Sequence, residues 1–312
     1  MIQSYLPEGC RITNPENYSC ISTLAGLENA LDRQLILEAP AILCDSDLNL
    51  HIQLGNMRGI IPREEVQYCA PGEEIKDIAI LTRVGKTVCF KITGFSREQN
   101  GELRVMLSRK AAQQECMLNY ISDLRAGDIL PARITHLENF GAFVDIGCGI
   151  ISLLSIDCFS VSRISHPSDR FRLGQQLPVI IKSIDQNGRI YVTHRELLGT
   201  WEENAAQFSV GQTVAGIVRS VESYGIFVEL TPNLAGLAEP KPNVHAGQTA
   251  AVYIKNMIAE RMKIKLILID AHDAEETPTP FRYFIDPGET AHLDHWRYSP
   301  DICNKIIETV FR

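Results

Sequence analysis

Apolar and polar residues alternate in short stretches along most of this chain, and glycine, asparagine and proline separate the stretches. The stretch from Gly141 to Ile146 shows the pattern most clearly, with apolar residues at positions 142, 144 and 146. Successive side chains of a strand point to opposite faces, so this alternation predicts a strand that buries those three residues. The same rule places Phe143 and Asp145 on the outer face.

An internal repeat relates two parts of the chain. Residues 127–146 align without a gap to residues 211–230, at an offset of 84 positions, and the order aromatic-Gly-x-Phe-Val-acidic-aliphatic recurs in register. A period of this length is that of a whole small domain and not that of a solenoid turn. The glycines at positions 141 and 225 indicate a bulge or a barrel corner within each repeat.

Each repeat also contains a second pair of predicted strands. Residues 177–184 and 189–193 are joined by Asp185-Gln186-Asn187-Gly188, and Asn-Gly between apolar alternations is a strong hairpin signal. Residues 250–255 and 263–269 echo this pair in the next repeat. About five short strands in ~70 residues are typical of a small barrel of the OB type.

A fainter copy of the repeat precedes these two, at residues 33–112. Its predicted strands cover five stretches: 41–45, 50–54, 59–62, 88–92 and 103–107. The last two form a hairpin that turns at Asn100-Gly101. Helices are expected near residues 22–33 and 109–124.

The expected fold class is therefore all-β, a tandem of five-stranded OB-fold barrels with short flanking helices. We predict six segments: a partly helical N-terminal segment (1–32), a degenerate barrel (33–112), a helical connector (113–124), a second barrel (125–199), a shortened third barrel (200–270), and an acidic linker with a C-terminal tail (271–312). Proline and acidic residues mark 273–280 as the linker. The tail carries aromatic residues and is expected to dock on a barrel, with a short helix from Pro300.

The net charge of −8 argues against nucleic-acid binding, because nucleic-acid binders usually carry a basic surface. The acidity is concentrated at the two ends, however. Residues 271–312 contain eight acidic and four basic residues, whereas residues 117–200 contain eight of each. A neutral body permits RNA binding but argues against binding by charge alone.

Several classes of protein are disfavoured. The nine cysteines form no C-x-x-C pair, so we expect free thiols in a cytoplasmic protein and no zinc site. His292-x-x-His295 has no nearby set of ligands to complete a metal site. No known catalytic motif is present, which predicts a non-enzymatic protein without a cofactor. We find neither a signal peptide nor an apolar stretch near the ~20 residues of a membrane helix.

Four stretches closely resemble the S1 RNA-binding domain, whose namesake is ribosomal protein S1 of the bacterial small subunit: Phe140–Ile146, Arg163–Ser168, Gly174-Gln175 and Asp185–Ile190. The resemblance covers residues 125–197, extends to 201–270, and is degenerate in 33–112. It implies S1-type five-stranded OB barrels that bind single-stranded RNA on one face.

The resemblance also implies which residues contact RNA. The stacking aromatics of the family fall on Phe140 and Phe143, and its polar contacts fall on Asp185 and Arg189. Ser155 stands where the family usually has a histidine. In the degenerate copy, Leu48 and His51 replace the two aromatics, so no stacking is expected there.

Further contacts are predicted from the repeat and from the hairpins. The third repeat keeps the aromatics as Tyr224 and Phe227 but lacks the His-Pro-Ser segment and the Asp-x-x-Gly-Arg turn. Outward aromatics offer a flat surface for a base. Basic residues on the strands of the hairpins could reach phosphate: Lys182, Lys255 and Lys263.

Other interpretations of these residues stay open. Phe143 could pack under a loop, Asp185 could only initiate a turn, and Lys263 and Lys265 could belong to a solvated strand face. The favoured function is binding of single-stranded RNA in translation, holding mRNA at or near the small ribosomal subunit. The alternatives are a protein-interaction adaptor that has lost RNA binding and an accessory subunit in RNA decay. The first barrel is expected to be structural or to dock a protein.

Overall fold

The computed structural model describes residues 5–69, 72, 74–97, 101, 103–273 and 281–312. Asn100 of the predicted turn and residues 274–280 of the predicted linker lie outside these ranges. The described chain starts with two helices, α1 (Pro15–Ser22) and α2 (Leu24–Asp32). Asn14 and Thr23 cap them, because each side-chain oxygen accepts a hydrogen bond from a backbone N–H of the first turn.

Five strands and one short helix, α3 (Asp77–Leu81), follow. The strands are β1 (Leu37–Cys44), β2 (Leu50–Leu54), β3 (Met57–Ile61), β4 (Thr87–Arg97) and β5 (Leu103–Ser108). They close into a barrel whose core consists of aliphatic residues and Phe90. Helix α4 (Arg109–Asn119) comes directly after β5. Helices α2 and α4 therefore correspond to the helices expected near 22–33 and 109–124.

Two more barrels follow in the chain. The second contains β6 (Ile129–Glu138), β7 (Gly141–Asp145), β8 (Ile151–Ser155), β9 (Gln176–Ile184) and β10 (Ile190–Thr193). After α5 (Trp201–Ala205), the third contains β11 (Thr213–Glu222), β12 (Gly225–Thr231), β13 (Leu234–Ala238), β14 (Thr249–Ile258) and β15 (Lys263–His272).

All three barrels share one strand order. In each, the first three strands are neighbours in sequence order, and the fifth strand lies between the third and the fourth. The third and fifth strands pair in parallel, as in β3–β5, β8–β10 and β13–β15. The predicted tandem of five-stranded barrels is confirmed.

The chain folds into two compact units. The first contains residues 1–124, 131–133 and 145–151, and the second contains residues 125–130, 134–144 and 152–312. None of the helices in the described part of the chain is long and apolar enough to cross a membrane.

A buried group of charges lies inside the first unit. The Arg109 guanidinium, fully buried, donates two hydrogen bonds to the Glu8 carboxylate at 2.6 and 3.0 Å. Burial alone would raise the pKa of Glu8, but the charge and hydrogen bonds of Arg109 outweigh it and lower that pKa.

Asp145 belongs to the same group, and here the prediction from alternation is wrong. The residue is 1% exposed, and its carboxylate accepts hydrogen bonds from the backbone N–H groups of Glu8, Gly147 and Gly149. Burial, together with the charge of Glu8, raises the pKa of Asp145 to about 7. Alternation places Asp145 on the side of β7 that faces away from the barrel core. The N-terminal segment covers that side, and the Glu8 N–H donates to the Asp145 carboxylate there.

The second unit contains a second buried ion pair. The Arg170 guanidinium donates to both Glu229 carboxylate oxygens at 2.7 and 2.8 Å, and Arg219 donates to the same two oxygens at 3.1 Å. Nearby, the Asn233 amide donates to the carbonyl groups of Arg195 and Gly199, at 2.8 Å each. The two hydrogen bonds of Asn233 fix the segment between β10 and α5 against the loop between β12 and β13.

The C-terminal tail packs within the second unit, as expected. The backbone N–H of Leu293 donates to the Gly127 carbonyl, and Phe311 joins an apolar cluster with Ile180 and Leu197. The short helix predicted from Pro300 is wrong. Instead, β16 (His295–Arg297) pairs with β17 (Glu308–Val310), so the tail satisfies its backbone groups in a ribbon.

Candidate nucleic-acid interface

The two aromatics predicted on the second barrel lie side by side on its outer surface. The rings of Phe140 and Phe143 meet edge to face, with centroids 6.0 Å apart and planes at 88°. Phe140 is 55% exposed, and Phe143 is partly exposed. Edge-to-face contact is a preferred geometry of aromatic pairs, and both rings keep part of their surface exposed.

Gly141, between the two aromatic residues in the chain, allows the close approach of β7 to β8. A Cβ atom at this position would lie 2.4 Å from the Leu154 carbonyl oxygen, so only glycine fits without a shift of the backbone. Beside it, the Ile156 N–H donates to the Phe140 carbonyl at 3.0 Å. The glycine therefore brings Phe140 to the edge of β8, next to Phe143.

His136 extends this surface and was missed by the sequence reasoning. Its ring lies 6.5 Å from that of Phe143 at an interplanar angle of 26°, and its Nε2 is 2.7 Å from Glu138 Oε1. Position 136 is on β6, ahead of the recognisable motif, so only the pairing of the strands brings it to the aromatics.

Two further residues on the outer surface were also missed. Tyr191 of β10 and Leu153 of β8 are direct partners in parallel strands, and both are partly exposed. Ser155, which replaces the usual histidine, is at the end of β8 and is partly exposed. The surface beside the Phe pair thus offers an aromatic ring and a hydroxyl group at neighbouring positions.

The predicted polar residues of the hairpin have separate local roles. Asp185 Oδ1 accepts hydrogen bonds from the backbone N–H groups of Asn187 and Arg189, at 2.8 and 2.9 Å, so this carboxylate holds the turn. The Arg189 side chain is exposed. The Lys182 ammonium group lies 3.2 Å from the Cys158 sulfur. Burial raises the pKa of the Cys158 thiol, and the Lys182 charge opposes that shift.

The third barrel repeats the aromatic pair with almost the same geometry. The rings of Tyr224 and Phe227 have centroids 6.1 Å apart and planes at 87°, and Tyr224 is 65% exposed. Gly225 occupies the position equivalent to Gly141. A Cβ atom there would lie 2.7 Å from the Ala238 carbonyl oxygen, so this position also favours glycine. The predicted lysines, Lys255 of β14 and Lys263 of β15, are both exposed.

The first barrel has no such pair at the equivalent positions. His51 Nε2 lies 3.0 Å from Asp45 Oδ2, and Leu48 packs against the barrel core. Desolvation acts to raise the pKa of Asp45, but hydrogen bonds from Asn49 and His51 outweigh it and lower this pKa to about 2. His51 is therefore engaged by a carboxylate and offers no open ring pair.

Other candidate chemistry has structural partners. His292 lies 2.6 Å from Asp128, whereas His295 lies 3.0 Å from Glu308, so the two histidines have different partners. Within the described residues, no group of three or more His, Cys, Asp and Glu side chains is arranged to hold a metal ion. All nine cysteines are free.

The sequence of this chain is similar to those of known proteins. The family described as S1 RNA binding domain matches residues 123–195. The small ribosomal subunit protein bS1 homolog of Bacillus cereus is 32% identical over 238 residues, which cover 73% of this chain and 57% of that protein. The small ribosomal subunit protein bS1 of Staphylococcus aureus is 30% identical over 284 residues, which cover 84% of this chain and 70% of that protein.

The relatives differ from this chain in length. The chain spans a little more than half of the Bacillus cereus protein, 57%.

A solved multidomain protein with nucleic acid binding domains from Streptococcus pneumoniae is 16% identical, with 76% of this chain and 74% of that chain covered and a TM-score of 0.24.

Proposed function

Because this chain belongs to the bS1 family of proteins with S1 RNA-binding domains, we propose that it binds single-stranded RNA, and specifically mRNA, in translation at the small ribosomal subunit. In this proposal the second and third barrels hold the RNA by base stacking and phosphate contacts. The contact residues are Phe140, Phe143, Lys182, Asp185 and Arg189 in the second barrel, and Tyr224, Phe227, Lys255 and Lys263 in the third.

One observation carries the proposal: the same open aromatic pair occurs in two barrels. Centroid separations of 6.0 and 6.1 Å and angles of 88° and 87° show that the geometry is kept although the sequences around it differ. Phe140 is 55% exposed and Tyr224 is 65% exposed. A ring that served only to pack the fold would be expected to be more deeply buried. An exposed ring suits base stacking, which tolerates every sequence because each base has a π face.

The polar residues act around the stacked base. Asp185 sets the turn from which Arg189 extends, so this carboxylate would also position the Arg189 cation beside the RNA. The exposed guanidinium can pair with phosphate or stack on a base. Lys182 contributes positive charge beside Cys158. Because the body of the chain is near neutral, stacking supplies more of the affinity than charge does.

Fluorescence anisotropy with labelled oligo-U and oligo-A tests the proposal on the full chain. The wild type is expected to bind both, and Phe140→Ala combined with Phe143→Ala is expected to abolish most of the affinity. Tyr18→Ala is the control, since Tyr18 is 68% exposed on α1. Equal binding by the double variant and the wild type would favour the adaptor function instead.

Co-sedimentation tests the cellular context. Association with small ribosomal subunits that depends on the two aromatic pairs is expected for a role in translation. A chain that binds RNA but does not sediment with ribosomes would favour the accessory role in RNA decay.

A further inference from the structure

The outer surface of β14 and β15 carries large apolar side chains that the third barrel does not bury. Tyr253 is 37% exposed, Ile267 47% and Ile269 49%, whereas the alternating neighbours Ile254 and Leu266 are in the core. Tyr253 and Ile267 are direct cross-strand partners, so they form one outward patch. Contiguous exposed apolar surface of this kind marks a binding site more often than a scattered apolar residue does.

This patch is continuous with the Tyr224–Phe227 pair. Phe227 of β12 is the partner of Leu237 in β13, and Leu237 is the partner of Lys265 in β15. Lys265 in turn pairs with Asn256 of β14. Adjacent strands are about 4.8 Å apart, so the four strands span roughly 14 Å of outer surface. An extended chain bound at the aromatic pair can therefore continue across β15 to β14.

The charge of the surface suits phosphate. Up to Ile269, β14 and β15 contain three lysines and no acidic residue: Lys255, Lys263 and Lys265. All three are exposed. The corresponding strands of the second barrel, β9 and β10, contain only Lys182. The third barrel thus has more positive charge where it has lost the Asp-x-x-Gly-Arg turn.

We propose that Tyr253, flanked by Lys255 and Lys265, is a further stacking site for single-stranded RNA on the third barrel. The inference rests on the proposed function and adds a site beyond the repeated aromatic pair. One base stacks on the Tyr253 ring beside Ile267, and the two ammonium groups neutralise neighbouring phosphates. A single-stranded nucleic acid combines apolar base faces with a regular row of negative charges, and the proposed function makes RNA the ligand here.

Binding of a labelled oligo-U of about 20 nucleotides to the full chain tests the stacking site, since one OB fold covers about 4–16 nucleotides. Tyr253→Ala is expected to weaken binding by about 5- to 150-fold, the range for loss of one stacked base. Tyr253→Phe keeps the ring and should retain affinity within about 2-fold. Tyr18→Ala, which removes an exposed tyrosine from α1, should change nothing.

The lysines are tested through salt dependence. Lys255→Ala with Lys265→Ala should reduce the slope of log affinity against log salt by about 1.4, which is two contacts at about 0.7 each. The matched control is Lys76→Ala with Lys86→Ala, which removes the same charge from exposed positions of the first unit. Thermal melting would reveal whether Tyr253→Ala unfolds the barrel. In that case the variant with Lys255→Ala and Lys265→Ala still tests the site.

The outcomes separate this inference from the function on which it rests. If Tyr253→Ala and the double lysine variant bind like the wild type while Phe143→Ala weakens binding, the site on β14 and β15 is wrong and the proposed function stands. If the wild-type chain fails to bind the oligonucleotide, both are wrong.

Discussion

Phe143 and Val144 are consecutive residues of β7 that face opposite sides of the second barrel. Val144 is fully buried in the core, whereas Phe143 stays partly exposed against Phe140. Substitutions at these two positions therefore separate effects on the stability of the barrel from effects on its outer surface. A change at position 144 acts on the fold, and a change at position 143 acts on the outer surface.

We predict that Phe143→Ala weakens RNA binding by about 5- to 150-fold, because loss of one base-on-aromatic stack costs ~1–3 kcal/mol. The free energy of unfolding should change by less than about 1 kcal/mol, since the ring packs mainly on Phe140 and His136 at the surface. Fluorescence anisotropy and thermal melting on the same preparation measure the two effects. Phe227→Ala should act in the same direction but more weakly, because the third barrel lacks the Asp-x-x-Gly-Arg turn.

Val144→Ala is the matched control. It should lower stability by about 1–3 kcal/mol through the cavity that it leaves, yet the folded fraction should bind RNA normally. A Phe143→Ala variant that unfolds, or that binds RNA like the wild type, would show that the ring serves packing and not RNA.

The sequence predicted local features well and distant partners poorly. The strands, the hairpin turn at Asp185 and the aromatic pairs follow from alternation and from residues close in the chain. The burial of Asp145 does not, because its donor Glu8 is 137 positions away. The same limit applies to Arg170 and Glu229, 59 positions apart. His136 is close to Phe143 in the chain, but it belongs to β6, ahead of the recognisable motif, and was missed for that reason.

Salt dependence should be shallow. The second and third barrels have almost no net charge, so about two to four phosphate contacts are expected, which gives a slope of about −1.4 to −2.8 for a single strand. Titrations by anisotropy at several salt concentrations measure it. A slope steeper than about −5 would reveal a charge-driven mode of binding that the neutral body does not predict.

Arg170→Ala should destabilise the second unit by about 3 kcal/mol, because it removes one of two guanidinium groups from a buried carboxylate. Glu229 is 5% exposed and would keep its contact with Arg219. Both tryptophans of the chain, Trp201 and Trp296, are in this unit and are buried, so their fluorescence in urea reports its unfolding. Arg163→Ala, at an exposed position, should change stability by less than about 0.5 kcal/mol. Equal midpoints for the two variants would show that the buried pair adds nothing to stability.

His194 should make the stability of the second unit depend on pH. The ring is fully buried among Phe171, Phe281 and Tyr283, and its Nδ1 lies 3.0 Å from the Phe159 carbonyl oxygen. Burial, assisted by the charge of Arg170 and opposed by that carbonyl, lowers the pKa of His194 from 6.5 to about 4.

Between these two pKa values the unfolded chain binds a proton at His194 that the folded chain does not, so stability must fall as the pH falls from about 6.5 towards 4. The loss at this residue should reach about 2 kcal/mol between pH 7 and pH 5. His194→Gln keeps a donor and an acceptor but does not titrate, so its stability should change less over the same interval. Urea unfolding followed by tryptophan fluorescence at both pH values measures the difference. Parallel pH dependence in the wild type and the variant would mean that His194 is protonated in the folded chain as readily as in the unfolded one.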